Sequence, residues 1–178
     1  MTDFTGRWKL LGAVSHDPDV AYESEDEIRM DAVIGGTRLD LALLLHKWLA
    51  GETFDAEPPL EPAAGLTLYI GDDDTFTESG TAEVEWFCEE GVLEAKALPF
   101  DGRIVTTPAG SHLLLHDPMT EPASADGYRY GDVRLRLDDG DTQIADTVVR
   151  AGDRLRRTVS VVTDEMYLSR VRYEYGRA

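Results

Sequence analysis

From Leu66 onward the chain repeats one pattern, a short apolar-rich run, a tight turn and another run, and this rhythm restricts the fold more than any other feature. Leu66–Gly71 turns through Asp72-Asp73-Asp74 into Thr75–Ser79, and Glu83–Cys88 turns through Glu89-Glu90-Gly91 into Val92–Leu98. Asp101-Gly102 and Pro108-Ala109-Gly110 bracket Arg103–Thr107, and Ser111–His116 follows. After a loop rich in Pro, Ser and Asp (Asp117–Asp126) come three long runs, Tyr128–Leu137, Thr142–Arg150 and Arg154–Val162, then a last one, Met166–Tyr175. Hairpin signals at such regular spacing predict an antiparallel up-and-down meander. About ten strands are expected, and closing them into a barrel removes the exposed edges of an open sheet.

The N-terminal third breaks the rhythm. A first strand is expected over Phe4–Val14, where period-2 reading puts Phe4, Gly6, Trp8 and Leu10 on one face. The acidic stretch from Ser15 to Asp31 reads as a solvated loop, and it lacks the glycine and terminal glutamate of a calcium loop. One convincing helix follows, with Thr37 or Asp40 as cap and Gly51 as its end. Leu41, Leu44, Leu45, Trp48 and Leu49 share a stripe, so this helix packs on something large. It could serve as a lid, plug an open end or cover the outside of the barrel. Glu52–Ala64, with three prolines, reads as an extended connector rather than a domain boundary. The expectation is therefore one domain over residues 1–178, all-β, a closed antiparallel barrel of about eight to ten strands with one early helix as lid or plug.

The two ends of the chain carry a family resemblance. Phe4-Thr5-Gly6-Arg7-Trp8-Lys9-Leu10-Leu11 opens it, and Leu168-Ser169-Arg170-Val171-Arg172-Tyr173-Glu174-Tyr175 closes it. A Gly two residues before a Trp, answered by an Arg-bearing last strand, resembles the calycins, the lipocalin and fatty-acid-binding-protein families of closed barrels. The resemblance implies adjacent first and last strands, with Trp8 plugging one end and a last-strand arginine lying over the indole and donating to nearby carbonyls. It implies Arg170 or Arg172 in that place. Fatty-acid-binding proteins also end in an Arg-x-Tyr that holds a carboxylate, whereas here Arg170-Val171-Arg172 puts Arg where Tyr belongs, which speaks against fatty-acid binding.

Composition narrows the partners. A formal charge of −18 argues against nucleic acid and anionic membrane surfaces. No apolar run is long enough to span a bilayer, and the opening residues carry no basic leader followed by an apolar segment. Cys88 is the only cysteine, so no internal disulfide forms, and a cytoplasmic location is expected. Three Lys against 14 Arg, no Asn and one Gln fit a GC-rich bacterial genome.

Motifs for common chemistry are missing. There is no Gly-x-Ser-x-Gly, Cys-x-x-Cys, phosphate-cradling loop or dinucleotide fingerprint. Cys88 sits among glutamates, the wrong setting for a reactive thiol. His112 and His116, four apart on a strand, stand about 13 Å from each other and cannot share an ion. His16 and His46 are isolated and read as surface or packing residues. Neither a cofactor nor a metal is expected.

A barrel interior remains, wide enough to hold one small hydrophobic molecule. In Tyr128–Leu137 one face carries Tyr128, Tyr130, Asp132, Arg134 and Arg136, the other Arg129, Gly131, Val133, Leu135 and Leu137. The first face is either solvated or lines the interior, where its hydroxyls and guanidiniums suit the polarising of a carbonyl. Two functions follow. In one the protein is a cofactor-independent cyclase or isomerase of a polyketide- or terpenoid-like intermediate, with Tyr130, Arg134 and Arg170 as catalytic candidates. In the other it is a non-catalytic carrier or sensor. For both, Trp8, Trp48, Glu85, Trp86, Tyr128 and Arg172 are the candidate ligand contacts.

Overall fold

In the computed structural model, residues 4–24, 29–88, 91–97, 100–116, 127–164 and 166–178 are described, with 83–88 and 91–97 as backbone only. In chain order β1 is Gly6–His16, β2 Val20–Ser24, β3 Met30–Ile34 and β4 Thr37–Asp40, followed by helix α1, Leu41–Leu49. Then come β5 Glu61–Pro62, β6 Leu66–Ile70, β7 Thr75–Gly80, β8 Ala82–Cys88, β9 Gly91–Ala97, β10 Asp101–Thr107 and β11 Gly110–Leu115. The remainder is β12 Tyr128–Tyr130, β13 Val133–Leu135, β14 Leu137–Asp138, β15 Thr142–Ala151, β16 Arg154–Thr163 and β17 Tyr167–Arg177.

Eight strands close on themselves in the order β1-β6-β7-β10-β11-β15-β16-β17, every neighbour antiparallel, with β17 returning to β1 and β11 meeting β15. Consecutive barrel strands are spatial neighbours, which is the predicted meander; the other elements are insertions between them. This architecture fits a calycin-like barrel. Among the described residues no helix is long and apolar enough to cross a membrane.

Alternation sorts the barrel residues onto two faces, and both are covered. Trp8, Leu68, Phe76, Leu113, Val159 and Val171, from six strands, meet inside. On the outer face of β15–β17, Ala145, Val162 and Leu168 form a second core with Ile34, Leu44, Trp48, Leu49 and Leu135. Of the placements open to α1, the outer wall is the one observed: Leu44, Trp48 and Leu49 are its buried side chains. Each contributes about 2 kcal/mol of burial. Asp40, not Thr37, caps it, its carboxylate accepting from the amides of Ala42 and Leu43.

Two expectations from the sequence are corrected here. Part of the acidic stretch is not loop: β2 pairs with β3, and β3 with β4, in a small sheet. Val20 and Tyr22 turn onto the second core while Ala21 and Glu23 face solvent, an alternation hidden by the surrounding acids. The run Tyr128–Leu137 is not one strand either. Gly131 takes φ 62° and, with Asp132, makes a two-residue turn between Tyr130 and Val133, so the run folds into the hairpin β12–β13.

The joint between the chain ends is of the expected kind with a different residue in it. Trp8 is fully buried, and its indole N–H donates to the Phe4 carbonyl at 2.8 Å. Arg177 lies directly across from it in β17, its guanidinium carbon 4.6 Å from the ring centroid and Nη1 donating to the Thr5 carbonyl at 2.6 Å. Gly6 makes this possible: at φ 134° a Cβ would stand 2.3 Å from Arg177 Nη1. Arg170 and Arg172, expected over Trp8, sit on the opposite face of β17. Cross-strand partners share a face, and Trp8 pairs with an odd-numbered residue, so Val171, Tyr173 and Tyr175 point inward.

Candidate functional site

Four charged side chains meet inside the barrel. Glu78 comes from β7, Asp146 from β15, Arg157 from β16, and Arg136 from the bend between β13 and β14. Each strand residue sits where alternation demands an apolar side chain: Phe76 precedes Glu78, Val148 follows Asp146, and Leu155 and Val159 flank Arg157, all within the inner core. Glu78 is 6%, Asp146 0% and Arg157 4% exposed, so their charges must be satisfied by protein.

They are. Arg157 grips Asp146 with both arms, Nε to Oδ1 at 2.9 Å and Nη2 to Oδ2 at 2.7 Å, and its Nη1 donates to Glu78 Oε1 at 2.5 Å. Arg136 Nη1 donates to Asp146 Oδ2 at 3.1 Å. The Phe100 amide donates to Glu78 Oε2 and the Tyr175 hydroxyl to Oε1, the latter at 3.4 Å. Two carboxylates balance two guanidiniums. Burial pulls Arg157 toward neutrality, yet Asp146 and Glu78 more than offset it and hold its pKa well above the ordinary value. In Arg136 burial prevails over the attraction of Asp146, and its pKa falls. With a side chain 17% exposed, Arg136 is also where the network reaches solvent.

Tyr173 and Tyr175 from β17 complete the group, their rings 6.4 Å apart and Arg157 lying 5.7 Å from the Tyr173 centroid. Burial raises both phenol pKa values, with Arg157 opposing, so both stay neutral near pH 7 and can donate. Tyr175 uses its hydroxyl on Glu78; Tyr173, 6% exposed, makes no hydrogen bond among the described residues. The arrangement thus offers one unused neutral donor beside a saturated, charge-balanced network in an apolar barrel.

The residues singled out from sequence lie elsewhere. Arg170 is 2% exposed on the outer face, its guanidinium carbon 3.7 Å from the Trp48 centroid. It donates to Ser160 Oγ at 3.0 Å and to the carbonyls of Trp48 and Glu52 at 2.8 and 2.9 Å, locking the end of α1 to the wall. Burial lowers its pKa to about 10, with Asp55 partly opposing. Arg172 pairs with Glu57 and donates to the Pro58 carbonyl, so both arginines strap the connector down. Tyr130 rests against the second core with its ring 6.3 Å from that of His46, whose Nε2 meets Asp132 Oδ1 at 2.6 Å. That bond holds the Asp132 carboxyl below its usual pKa. Arg134 is half-buried with an unpartnered Nε, and Tyr128 is exposed. Arg170 is thus engaged on the outer wall, while Tyr130 and Arg134 belong to the β12–β13 hairpin. Trp8 closes a barrel end, and the side chains of Glu85 and Trp86 fall outside the described residues. Glu78, Asp146 and Arg157 escaped the reading, although a charge flanked two residues away by apolar side chains in a strand is a visible signal.

A shallow cleft of about 490 Å³ opens between Phe4 and the ends of β11 and β15, with Arg150 on its rim. Arg150 is engaged there, over Trp8 at 5.7 Å and donating to the Gly152 carbonyl. The cleft brings no second charged group to the same place, so the barrel interior is the stronger site.

No family model matches the sequence, and no curated protein matches it. Among solved structures, a protein of unknown function from the DUF3598 family of Nostoc punctiforme aligns over 98% of this chain and 96% of its own, at 9% identity and a TM-score of 0.27.

Proposed function

We propose that the protein binds a small, largely apolar molecule inside the barrel, as a non-catalytic carrier or sensor, with an oxygen of the ligand accepting from the Tyr173 hydroxyl. The observation that carries this is the Tyr173 phenol, buried and without a hydrogen bond among the described residues, beside a network whose carboxylates are engaged by Arg157, Arg136 and Tyr175. A barrel needed only for stability gains little from four buried charges, because apolar side chains of similar volume hold a core at least as well. The end-to-end joint of Trp8 and Arg177 supports the calycin reading, whose members mostly bind and release.

We favour carriage over the cyclase or isomerase activity. Catalysis of that kind requires donors converging on one carbonyl. Arg170 is committed to Trp48, Ser160 and two backbone carbonyls on the outer wall. Those engagements support reading Arg170 as a structural clamp rather than as a donor to a substrate carbonyl.

Native mass spectrometry of the purified protein, with denaturation to release any retained compound, is the direct test, backed by titration with Nile red as a neutral apolar probe. The expected result is a retained apolar compound or saturable Nile red fluorescence that weakens severalfold in Tyr173→Phe. A protein that carries no compound and leaves Nile red dark contradicts the proposal. A retained compound that leaves chemically altered after incubation contradicts the carrier and restores the enzyme.

A further inference from the structure

We infer that this barrel selects neutral oxygen-bearing ligands, alcohols and ketones, over carboxylates of the same skeleton. The inference rests on the binding reading above and adds the ligand's charge to it. The group that would attract a carboxylate into a barrel is an arginine without a counter-charge, and both arginines of the interior network are already paired with its acids. Arg157 is held by Asp146 through Nε and Nη2 and by Glu78 through Nη1. Counted with Arg136, its charge is balanced by the two carboxylates. Arg136, the second guanidinium, is bound to Asp146 as well.

An incoming carboxylate would bring a third negative charge beside Glu78 and Asp146 and lose its hydration shell. No cation would be left over to offset either cost. A neutral alcohol or ketone meets neither penalty. It needs one donor, and the Tyr173 phenol is one: kept protonated by burial, aligned on the inner face of β17, and unpaired among the described residues. A single like charge at this range shifts an equilibrium by about tenfold or more, which sets the expected scale of discrimination.

The experiment is displacement of bound Nile red from the wild-type protein by dodecanol and, separately, by dodecanoate at pH 8. Dodecanol is expected to displace the probe at a concentration about tenfold lower or better. Glu78→Gln and, separately, Asp146→Asn should narrow or invert that preference, since each leaves Arg157 or Arg136 with unbalanced charge. Because the wild-type comparison stands by itself, a variant that fails to fold does not remove the test. Dodecanoate displacing the probe as well as dodecanol, or better, overturns the charge selection while leaving the binding reading intact. Failure of Nile red to bind overturns the binding reading and the selection with it. A preference for dodecanol that persists undiminished in both folded variants also overturns the inference, because the discrimination would then not come from the network.

Discussion

The strands β15–β17 carry a buried arginine on each face, and the two are handled in opposite ways. Inside the barrel, Arg157 faces two carboxylates and its positive charge is reinforced. Outside, Arg170 is just as buried but gives its hydrogen bonds mainly to a hydroxyl and two backbone carbonyls, and burial pulls its pKa to about 10. Its nearest carboxylate oxygen, on Glu57, is 3.4 Å away and that side chain is shared with Arg172. The outer arginine works as a flat, many-armed clamp: it stacks on Trp48 and donates to the Trp48 carbonyl in the last turn of α1 and to the Glu52 carbonyl just beyond it. The inner one is an element of a charge pattern. Equal burial therefore conceals unequal roles, structural on one wall and electrostatic within.

Removing each arginine should separate these roles by size. Arg157→Met leaves Asp146 and Glu78 buried without their main counter-charge, and about 3–5 kcal/mol of stability should disappear in urea denaturation. Replacing all four charges together (Glu78→Met, Arg136→Met, Asp146→Leu, Arg157→Met) should recover most of that loss, because the penalty belongs to unpaired charge rather than to lost attraction. If the single variant loses less than about 1 kcal/mol, water reaches the network and the inner site is not the sealed environment described. Arg170→Ala should cost less, about 2–3 kcal/mol, from the lost hydrogen bonds to Ser160 and the two carbonyls and the lost stack on Trp48. Arg170→Lys should restore under half, since an ammonium neither stacks flat nor forks to several acceptors. A lysine variant as stable as wild type would refute the clamp.

The comparison also shows which parts of the molecule can be read from sequence. Barrel and helix were legible because both are periodic signals: the turns at Asp72-Asp73-Asp74 and Ala151-Gly152-Asp153 separate runs that are in fact strands, and Leu44, Trp48 and Leu49 are the buried stripe of α1. What period cannot give is parity. The Trp8 joint was foreseen as an arginine from the last strand, but choosing Arg170 over Arg177 needs the register between β1 and β17, and an error of one residue turns every side chain to the other face. The bulge between Leu10 and Gly12 moves the inward positions of β1 from even to odd, which no alternation rule anticipates. From that register Val171, Tyr173 and Tyr175 turn inward and Arg170 and Arg172 outward. The network itself spans residues 78 to 175, and only closure of the barrel brings those strands together.

The smallest expected effect concerns the outer face again, where His112 lies in β11 opposite Thr147, fully buried. Neither ring nitrogen makes a hydrogen bond of good geometry among the described residues. Burial lowers its pKa below 6.5; the nearby carbonyls of Val105 and Gly110 and the charge of Asp146 oppose this, and Arg134 adds to it. The unfolded chain therefore takes up this proton at a higher pH than the folded one, and between the two pKa values it binds more protons. Stability from this residue is present above about pH 6.5 and declines as pH falls through that window. Wild type should lose about 1 kcal/mol more than His112→Leu between about pH 7 and pH 5, read from paired urea titrations. Parallel losses in the two proteins would show that His112 protonates as readily in the fold as outside it. Loosening in this range should begin around His112, under the β12–β13 hairpin. Amide exchange should accelerate there first, while the strands around Asp146 and Arg157 keep their protection.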